Sequence, residues 1–254
     1  MQALTEYWSG EEYDCQYAHL YQKSVAFVRR QIIAQGARRL LDVCCGTGLV
    51  SIPLTRYVLD ATGIDISPAM LRHACYKSRR IDNINFVKGD ARDFQLGAPY
   101  DIAVVSGNAL QSFTRDADAL RMLRNIARHL SPNGRLIFDS RLPLRHNVEP
   151  SLDYDFGGVY FSPGGEKVSY FAKRERFDAQ RSIMHFRKRR LYPNGDVYES
   201  LQQMRYRSVK TVTSLLNAAG FGVENLHRNW SGDLLKPTSL QMVCVAQKGL
   251  VSTR

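Results

Sequence analysis

The chain has 254 residues, enough for one substantial core or one core with an appended lid, and too few for two full-size domains. Hydrophobic residues make up 44% and charged residues 23%, which excludes wholesale disorder, and no apolar run approaches the roughly 18 residues of a membrane span. The formal net charge of +11 is the unusual bulk property, one that draws phosphates, acidic metabolites or anionic surfaces.

Residues 12 to 35 carry apolar side chains mostly on one broad helical face, and Gly36 stands where a helix is expected to end. A short apolar strand, Arg39 to Cys44, runs straight into Gly46-Thr47-Gly48, followed by a helical pattern over 49–59. Ala61 to Asp65 reads as a second strand. Ser67-Pro68 supplies an N-cap with proline at the first helical position, opening a helix to about Lys77. Strands follow at 84–90 and 100–106, then a helix at 116–130, a turn at Ser131-Pro132-Asn133-Gly134 and a strand at 135–139. Strands spaced by helices demand crossovers, so the expected fold is α/β: a doubly wound, mostly parallel sheet with helices on both faces.

From Ser140 to Arg207 the rhythm changes to four strand-like runs at 154–160, 168–177, 183–192 and 198–206, separated by turn residues at hairpin spacing. This predicts an antiparallel β insertion acting as a lid. The domain reading is therefore a core of 1–139 and 208–254 with an insertion of 140–207. Val209 to Ala219 reads as a helix ended by Gly220, and 222–229 and 239–247 as two last strands.

The five cysteines (Cys15, Cys44, Cys45, Cys75, Cys244) are odd in number and lack CxxC spacing. That argues against a disulfide scaffold or zinc site, and for a reducing compartment. The N-terminal stretch has neither the basic nor the apolar region of a signal peptide, so a cytoplasmic location is expected.

The strongest motif is Asp42-x-Cys44-x-Gly46-x-Gly48 at the end of the first strand. Glycines there let backbone turn tightly and approach a ligand beneath a helix N-terminus. The spacing does not match a dinucleotide fingerprint, which would need glycine at 44 and 49, and no G-K-[ST] of a P-loop follows. Asp65 at the tip of the second strand can accept from both hydroxyls of a ribose. Asp90 at the tip of the third can accept from an exocyclic adenine amine. Three acidic strand tips suit a neutral or cationic ligand better than a phosphate.

These segments (40–48, 63–71 and 87–94), with the tail 215–221 and the last strand ending 245–248, resemble a class I S-adenosylmethionine (SAM)-dependent methyltransferase of small-molecule type. The similarity spans essentially the whole chain. It implies a seven-stranded Rossmann-like sheet whose last strand is antiparallel, and SAM as cofactor. The opening Tyr7-Trp8…Tyr13-Asp14…Tyr17 resembles the N-terminal helix that closes over SAM, which places Tyr13 at the cofactor. Asp42 and the Gly46–Gly48 turn would lie near the methionine end, Asp65 and Ile66 at the ribose, and Met70 near the adenosine. Asp90 and Ala91 would lie at the adenine and Ser106 at the cofactor's tail. Cys44 stands where the family more often has glycine.

Methyl transfer needs mainly positioning and desolvation, so no catalytic motif is required and none stands out. Candidates for the acceptor side are Tyr17, Asn108, Arg141 and His146. The expected reaction is methyl transfer to N, O or S of a small molecule, acidic if the net charge steers it, by a monomer or homodimer. The base-methylating Asn/Asp-Pro-Pro-aromatic turn is absent after the fourth strand, as is a Pro-Cys nucleophile, so nucleic acid is disfavoured. An RNA or DNA methyltransferase using the basic segment 173–190 stays open as an alternative, as does a SAM-binding protein that transfers no methyl group.

Overall fold

A computed structural model describes residues 6–97 and 99–249. The first five residues of the stretch read for a signal lie outside them. The main sheet has seven strands: β1 (Arg39–Val43), β2 (Asp60–Asp65), β3 (Ile84–Lys88), β4 (Tyr100–Val105), β5 (Leu130–Arg141), β10 (Phe221–His227) and β11 (Gln241–Lys248). Their order is β10-β11-β5-β4-β1-β2-β3, and only β11 runs antiparallel to its neighbours. This is the expected Rossmann-like arrangement. β1 pairs with β2 on one side and β4 on the other, both parallel, so the winding direction reverses between β1 and β4. Such a reversal leaves a crevice beyond the carboxyl ends of these strands.

Alternation along the central strands divides the core. Leu41, Val43, Ala103, Val105, Leu136 and Phe138 face one side, packed by α5 (Asp116–His129) and α7 (Val209–Ala218). Leu40, Ile102, Val104 and Ile137 face the other, packed by α2 (Gln22–Gln35) through Phe27, Val28 and Ile32. Both faces are covered, which is why these strands read as nearly continuous apolar runs. Among the described residues, no helix is long and apolar enough to cross a membrane.

Three elements depart from expectation. The helical pattern over 49–59 is realised as a short helix, α3 (Ser51–Leu54), and a 3₁₀ turn at Thr55–Tyr57. The helix predicted over 12–35 is broken: α1 (Gly10–Tyr17) passes through a 3₁₀ turn at Ala18–Tyr21 before α2. Leu20 and Ile33 are exposed, while Glu12 and Gln16 are buried. The buried positions in α1 are polar because they bond a second sheet, which an apolar pattern cannot reveal. The turn Ser131–Gly134 is absorbed into β5 as a bulge. Pairing jumps from Tyr100↔Leu130 to Ile102↔Arg135, with Asn133 at φ +61°.

The insertion forms a four-stranded antiparallel sheet in the order β6 (Asp155–Phe161), β7 (Lys167–Asp178), β8 (Ile183–Leu191), β9 (Val197–Arg205). The hairpin turns fall at the predicted residues. Between β5 and β6 lies a short helix, α6 (Arg145–Val148), that the pattern did not signal.

Candidate active site

A cavity of about 430 Å³ opens at the carboxyl ends of β1, β2 and β4, in the crevice made by the winding reversal. Its floor is the turn after β1, where Cys44, Gly46 and Gly48 all have positive φ (60°, 55° and 77°). Glycine adopts this conformation freely, whereas Cys44 holds it at a cost of about 1–2 kcal/mol. The turn is pinned from β2: the Gly46 and Ser67 N–H groups donate to the two carboxylate oxygens of Asp65, each at 2.8 Å. Ser67 caps α4 (Pro68–Ser78), its hydroxyl accepting from the Met70 N–H. Burial raises the Asp65 carboxyl above the usual range.

Of the cofactor residues read from sequence, Tyr13, Cys44, Gly46, Asp65, Ile66, Met70, Asp90, Ala91 and Ser106 line this cavity. Asp42 and Gly48 lie behind the wall. Asp42 is 1% exposed, and burial pushes its carboxyl up to about 7 against the neighbouring Ser51 hydroxyl and N–H. A side chain at Gly48 would meet the Phe86 ring at 2.8 Å, so this glycine permits close packing under the turn. Asp90 is bound by Arg92 through Nε at 3.0 Å, and that guanidinium holds its carboxyl below the usual range. Arg92 also reaches Asp118 at 3.2 Å. Arg92 and Asp118 were not singled out in the sequence, and only their proximity to Asp90 could have suggested them.

The other wall comes from the N-terminal segment. Tyr7, Tyr13 and Tyr21 line the cavity, and the Tyr13 and Tyr21 hydroxyls are 2.6 Å apart. Burial raises all three phenols, so they stay neutral. Asp14 ties α1 to the glycine turn through the Thr47 hydroxyl, and to α4 through His73 at 3.1 Å and Lys77. Glu12 accepts from the hydroxyls of Tyr160 and Tyr192 of the second sheet region. Glu6 accepts from Lys188 at 2.8 Å, Arg190 at 3.0 Å, and the hydroxyls of Ser200 and Tyr17 at 2.6 Å each. The segment thus clamps the core turn and the antiparallel sheet together.

A second cavity of about 590 Å³ shares Tyr7, Tyr13, Tyr21 and Gly107 with the first. Gly107 has φ +70°, and a Cβ there would lie 2.5 Å from the Tyr21 hydroxyl. Tyr17, Asn108 and Arg141, read as acceptor-side candidates, line this second cavity; His146 lines an adjoining pocket with Arg141 instead. Also in the wall is Asp139, near the end of β5, which is 4% exposed. It accepts from the Asn108 N–H at 2.9 Å, and no cation lies within ion-pair distance of it among the described residues. Burial pushes it up to about 6, against the stabilising Asn108 N–H, the neighbouring Trp230 indole and the charge of Arg141. The sequence carried its signal, an acidic residue closing a strand as at Asp65 and Asp90, but Asp139 was not taken as a site residue.

The basic segment 173–190 is mostly neutralised. Arg174 pairs with Asp155, Arg187 with Glu175 and Glu199, Arg189 with Glu199, and Lys188 and Arg190 with Glu6. Arg190 is 2% exposed. These cations tie the hairpins together and hold the N-terminal segment; they do not form an open polyanion track.

The cavity residues fit SAM. A volume of about 430 Å³ lies in the range of small-molecule sites, roughly 300–1,000 Å³. Asp65 uses one acceptor direction on each oxygen and keeps others for hydroxyls.

Comparison with known proteins agrees. A family profile described as a methyltransferase domain matches residues 40–134. The chain is 36% identical over 104 residues to the dTDP-4-amino-2,3,4,6-tetradeoxy-D-glucose N,N-dimethyltransferase of Saccharopolyspora spinosa, covering 41% of this chain and 40% of that one. It superposes on an S-adenosylmethionine-dependent methyltransferase from Clostridium acetobutylicum ATCC 824 with a TM-score of 0.80 at 16% identity, covering 94% and 96% of the two chains. The sugar N-methyltransferase KedS8 from Streptoalloteichus sp ATCC 53650 matches with a TM-score of 0.73 at 25% identity, covering 96% and 94%. Sheet order, glycine turn, acidic strand tips and these likenesses converge: the chain is a SAM-dependent methyltransferase of the class I fold.

Proposed function

We propose that the protein transfers a methyl group from SAM to an amine nitrogen of a small molecule held in the second cavity. The observation that carries this reading is Asp139, a buried carboxylate in the wall of the second cavity, with no cation within ion-pair distance among the described residues and only the more distant charge of Arg141 to offset it. A buried carboxylate without a close counter-charge is costly, and an ammonium supplied by the acceptor would answer it. The amino-sugar and sugar N-methyltransferase relatives support the same choice of atom.

In this reading Asp65 and Ile66 hold the ribose, Met70 the adenosine, Asp90 and Ala91 the adenine, and Ser106 and the Gly46 turn the methionine tail, with Tyr13 closing over it. Asp42 and Gly48 act from behind, bracing the turn. Bound SAM supplies an electrophilic methyl group on a sulfonium. Tyr7, Tyr13 and Tyr21 exclude water from the junction and, being neutral phenols, do not compete as nucleophiles. Asp139 binds the incoming ammonium and takes the proton it must shed before its lone pair can attack; a carboxyl near 6 is a better base than an ordinary one. Once that proton has passed from Asp139 to solvent, the regenerated carboxylate stabilises the positive charge that methyl transfer moves to the acceptor nitrogen.

Residues 1–139 and 208–254 serve as the cofactor core, and 140–207 as the acceptor lid. The protein acts in the cytoplasm as a monomer or homodimer. The test is SAH release from SAM on incubation with a panel of primary and secondary amines. Product with amines that is lost in Asp139→Asn supports the reading; turnover only with alcohols or thiols would overturn it.

A further inference from the structure

The net charge of +11 has no outlet in the lid, whose cations are mostly paired. It gathers instead on one helical layer. The strand order β1-β2-β3 advances in one direction, so right-handed crossovers set α3 and α4 on the same sheet face, and α2 packs beside α3 there. Helices α2, α3 and α4 and the 3₁₀ turn at Thr55–Tyr57 contain no aspartate or glutamate. On the opposite face, α5 sets Asp116 and Asp118 among its arginines.

The outward stripes of this layer mix cations with apolar groups. On α2, Lys23, Arg29, Arg30 and Ile33 are exposed at helical spacing; on α4 the stripe is Arg72, Tyr76 and Arg79, followed by Arg80. Exposed Arg56 and Leu59 stand on the connection between these helices, and the Leu59 N–H donates to the Arg38 carbonyl at 2.8 Å, just past α2. Ile33, Leu59 and Tyr76 are 63%, 61% and 61% exposed. Arg39 pairs with Asp60 and Lys77 with Asp14, but no cation of the stripes has a carboxylate within ion-pair distance among the described residues.

We propose that this layer docks on an anionic lipid bilayer, its arginines meeting lipid phosphates while Ile33, Leu59 and Tyr76 enter the headgroup boundary. Cations interleaved with exposed apolar side chains are what an interfacial helix presents, and long arginine stems keep the charge at headgroup level. Each cation held near such a surface strengthens binding about fivefold. A nucleic-acid strand fits the layer less well, since it is held by charge and stacking along a groove. Beyond Lys23, no residue of the stripes lines any of the three cavities, and Ile33 and Leu59 offer nothing to a phosphodiester chain. Lys23 lines the acceptor cavity, as does Leu20, so docking sets that cavity beside the membrane.

The experiment is flotation of the full-length, SAH-saturated protein with phosphatidylcholine vesicles, with and without about one-third phosphatidylglycerol. Wild type is expected to float with the anionic vesicles only, and less as salt rises. R56E/R80E is expected to weaken binding at least tenfold, and I33S/L59S, which leaves the charge unchanged, at least threefold. K167E/R181E makes the same change in net charge at exposed positions of the antiparallel sheet region and is expected to stay within twofold of wild type. SAH affinity should hold within about twofold throughout; if R56E/R80E loses it, R80E alone is expected to weaken vesicle binding at least threefold. Absence of wild-type flotation with anionic vesicles, equal flotation with neutral ones, or wild-type strength in either layer variant would overturn the proposal. So would a loss in K167E/R181E as large as that in R56E/R80E. Tighter capture of a single-stranded RNA oligonucleotide, abolished by R56E/R80E and untouched by I33S/L59S, would overturn it too.

Discussion

Replacing Glu6 by glutamine removes one negative charge from the joint between the N-terminal segment and the antiparallel sheet. The Glu6 side chain is 3% exposed and its partners Arg190 and Lys188 are 2% and 14% exposed, so two cations lose their counter-charge with little water to replace it. Breaking a buried pair this way costs about 3–5 kcal/mol, and the partial exposure of Lys188 puts the value near the lower end. About 3 kcal/mol corresponds to a fall of roughly 150-fold in the constant for docking the segment. Although burial opposes it, Lys188 and Arg190 hold the Glu6 carboxyl at about 2, down from 4.5. Its contribution is therefore complete above pH 4.5 and lost as pH falls through 2. Trp8 reports the docking, since it stacks on Tyr198 with ring centroids 5.8 Å apart. In a Trp230→Phe background it is the remaining tryptophan. Glu6→Gln is expected to shift its emission to the red and to weaken SAH binding at least tenfold, because Tyr7 and Tyr13 leave the cofactor cavity with the segment. Unchanged emission, with SAH affinity within twofold of wild type, would refute the reasoning.

Other perturbations follow from the same geometry. Asp139 has its carboxyl raised from 3.8 to about 6, so it costs stability that is fully felt above pH 6 and vanishes as pH falls towards 4. Asp139→Asn is expected to be more stable than wild type by up to about 3 kcal/mol at pH 8, with the gap closing between pH 6 and 4 in denaturant titrations. With an active amine, wild-type kcat/KM should rise with pH through about 6, and the variant should lose that limb. Gly107→Ala places a Cβ at φ +70° and 2.5 Å from the Tyr21 hydroxyl. A cost of about 1–3 kcal/mol is expected, lowering Tm by a few degrees and breaking the Tyr13–Tyr21 contact; an unchanged Tm would show that the wall yields freely.

The sheet was legible because its strands alternate with helices and end in turn residues, and because crossovers leave few topologies open. The glycine turn, Asp65 and Asp90 were legible for a related reason: strand tips are local features, so a residue's place in the pattern states its place in space. What escaped was assembled from distant residues. Glu12 and Gln16 lie within the stretch read as one helix and Glu6 precedes it, yet all three are buried by Arg190, Tyr160 and Tyr192, more than 140 positions away. The basic run 173–190 left a nucleic-acid partner open as an alternative, and most of its charges are instead paired, Arg187 and Arg189 with Glu175 and Glu199 across the hairpins. Asp139 needed the fold to show that its carboxylate faces a second cavity. His146 stands with Tyr17, Asn108 and Arg141 among the acceptor-side candidates, while the short helix α6 carries it to the adjoining pocket.

The account's central claim is that the cavity above β1 and β2 holds SAM through Asp65. Its most direct test is calorimetric titration with SAH of the wild-type protein beside Asp65→Ala, with circular dichroism to confirm that both are folded. Micromolar binding by wild type that weakens at least a hundredfold in the variant is the predicted result. A folded wild-type protein that binds no SAH, or a variant that binds as tightly as wild type, would contradict it.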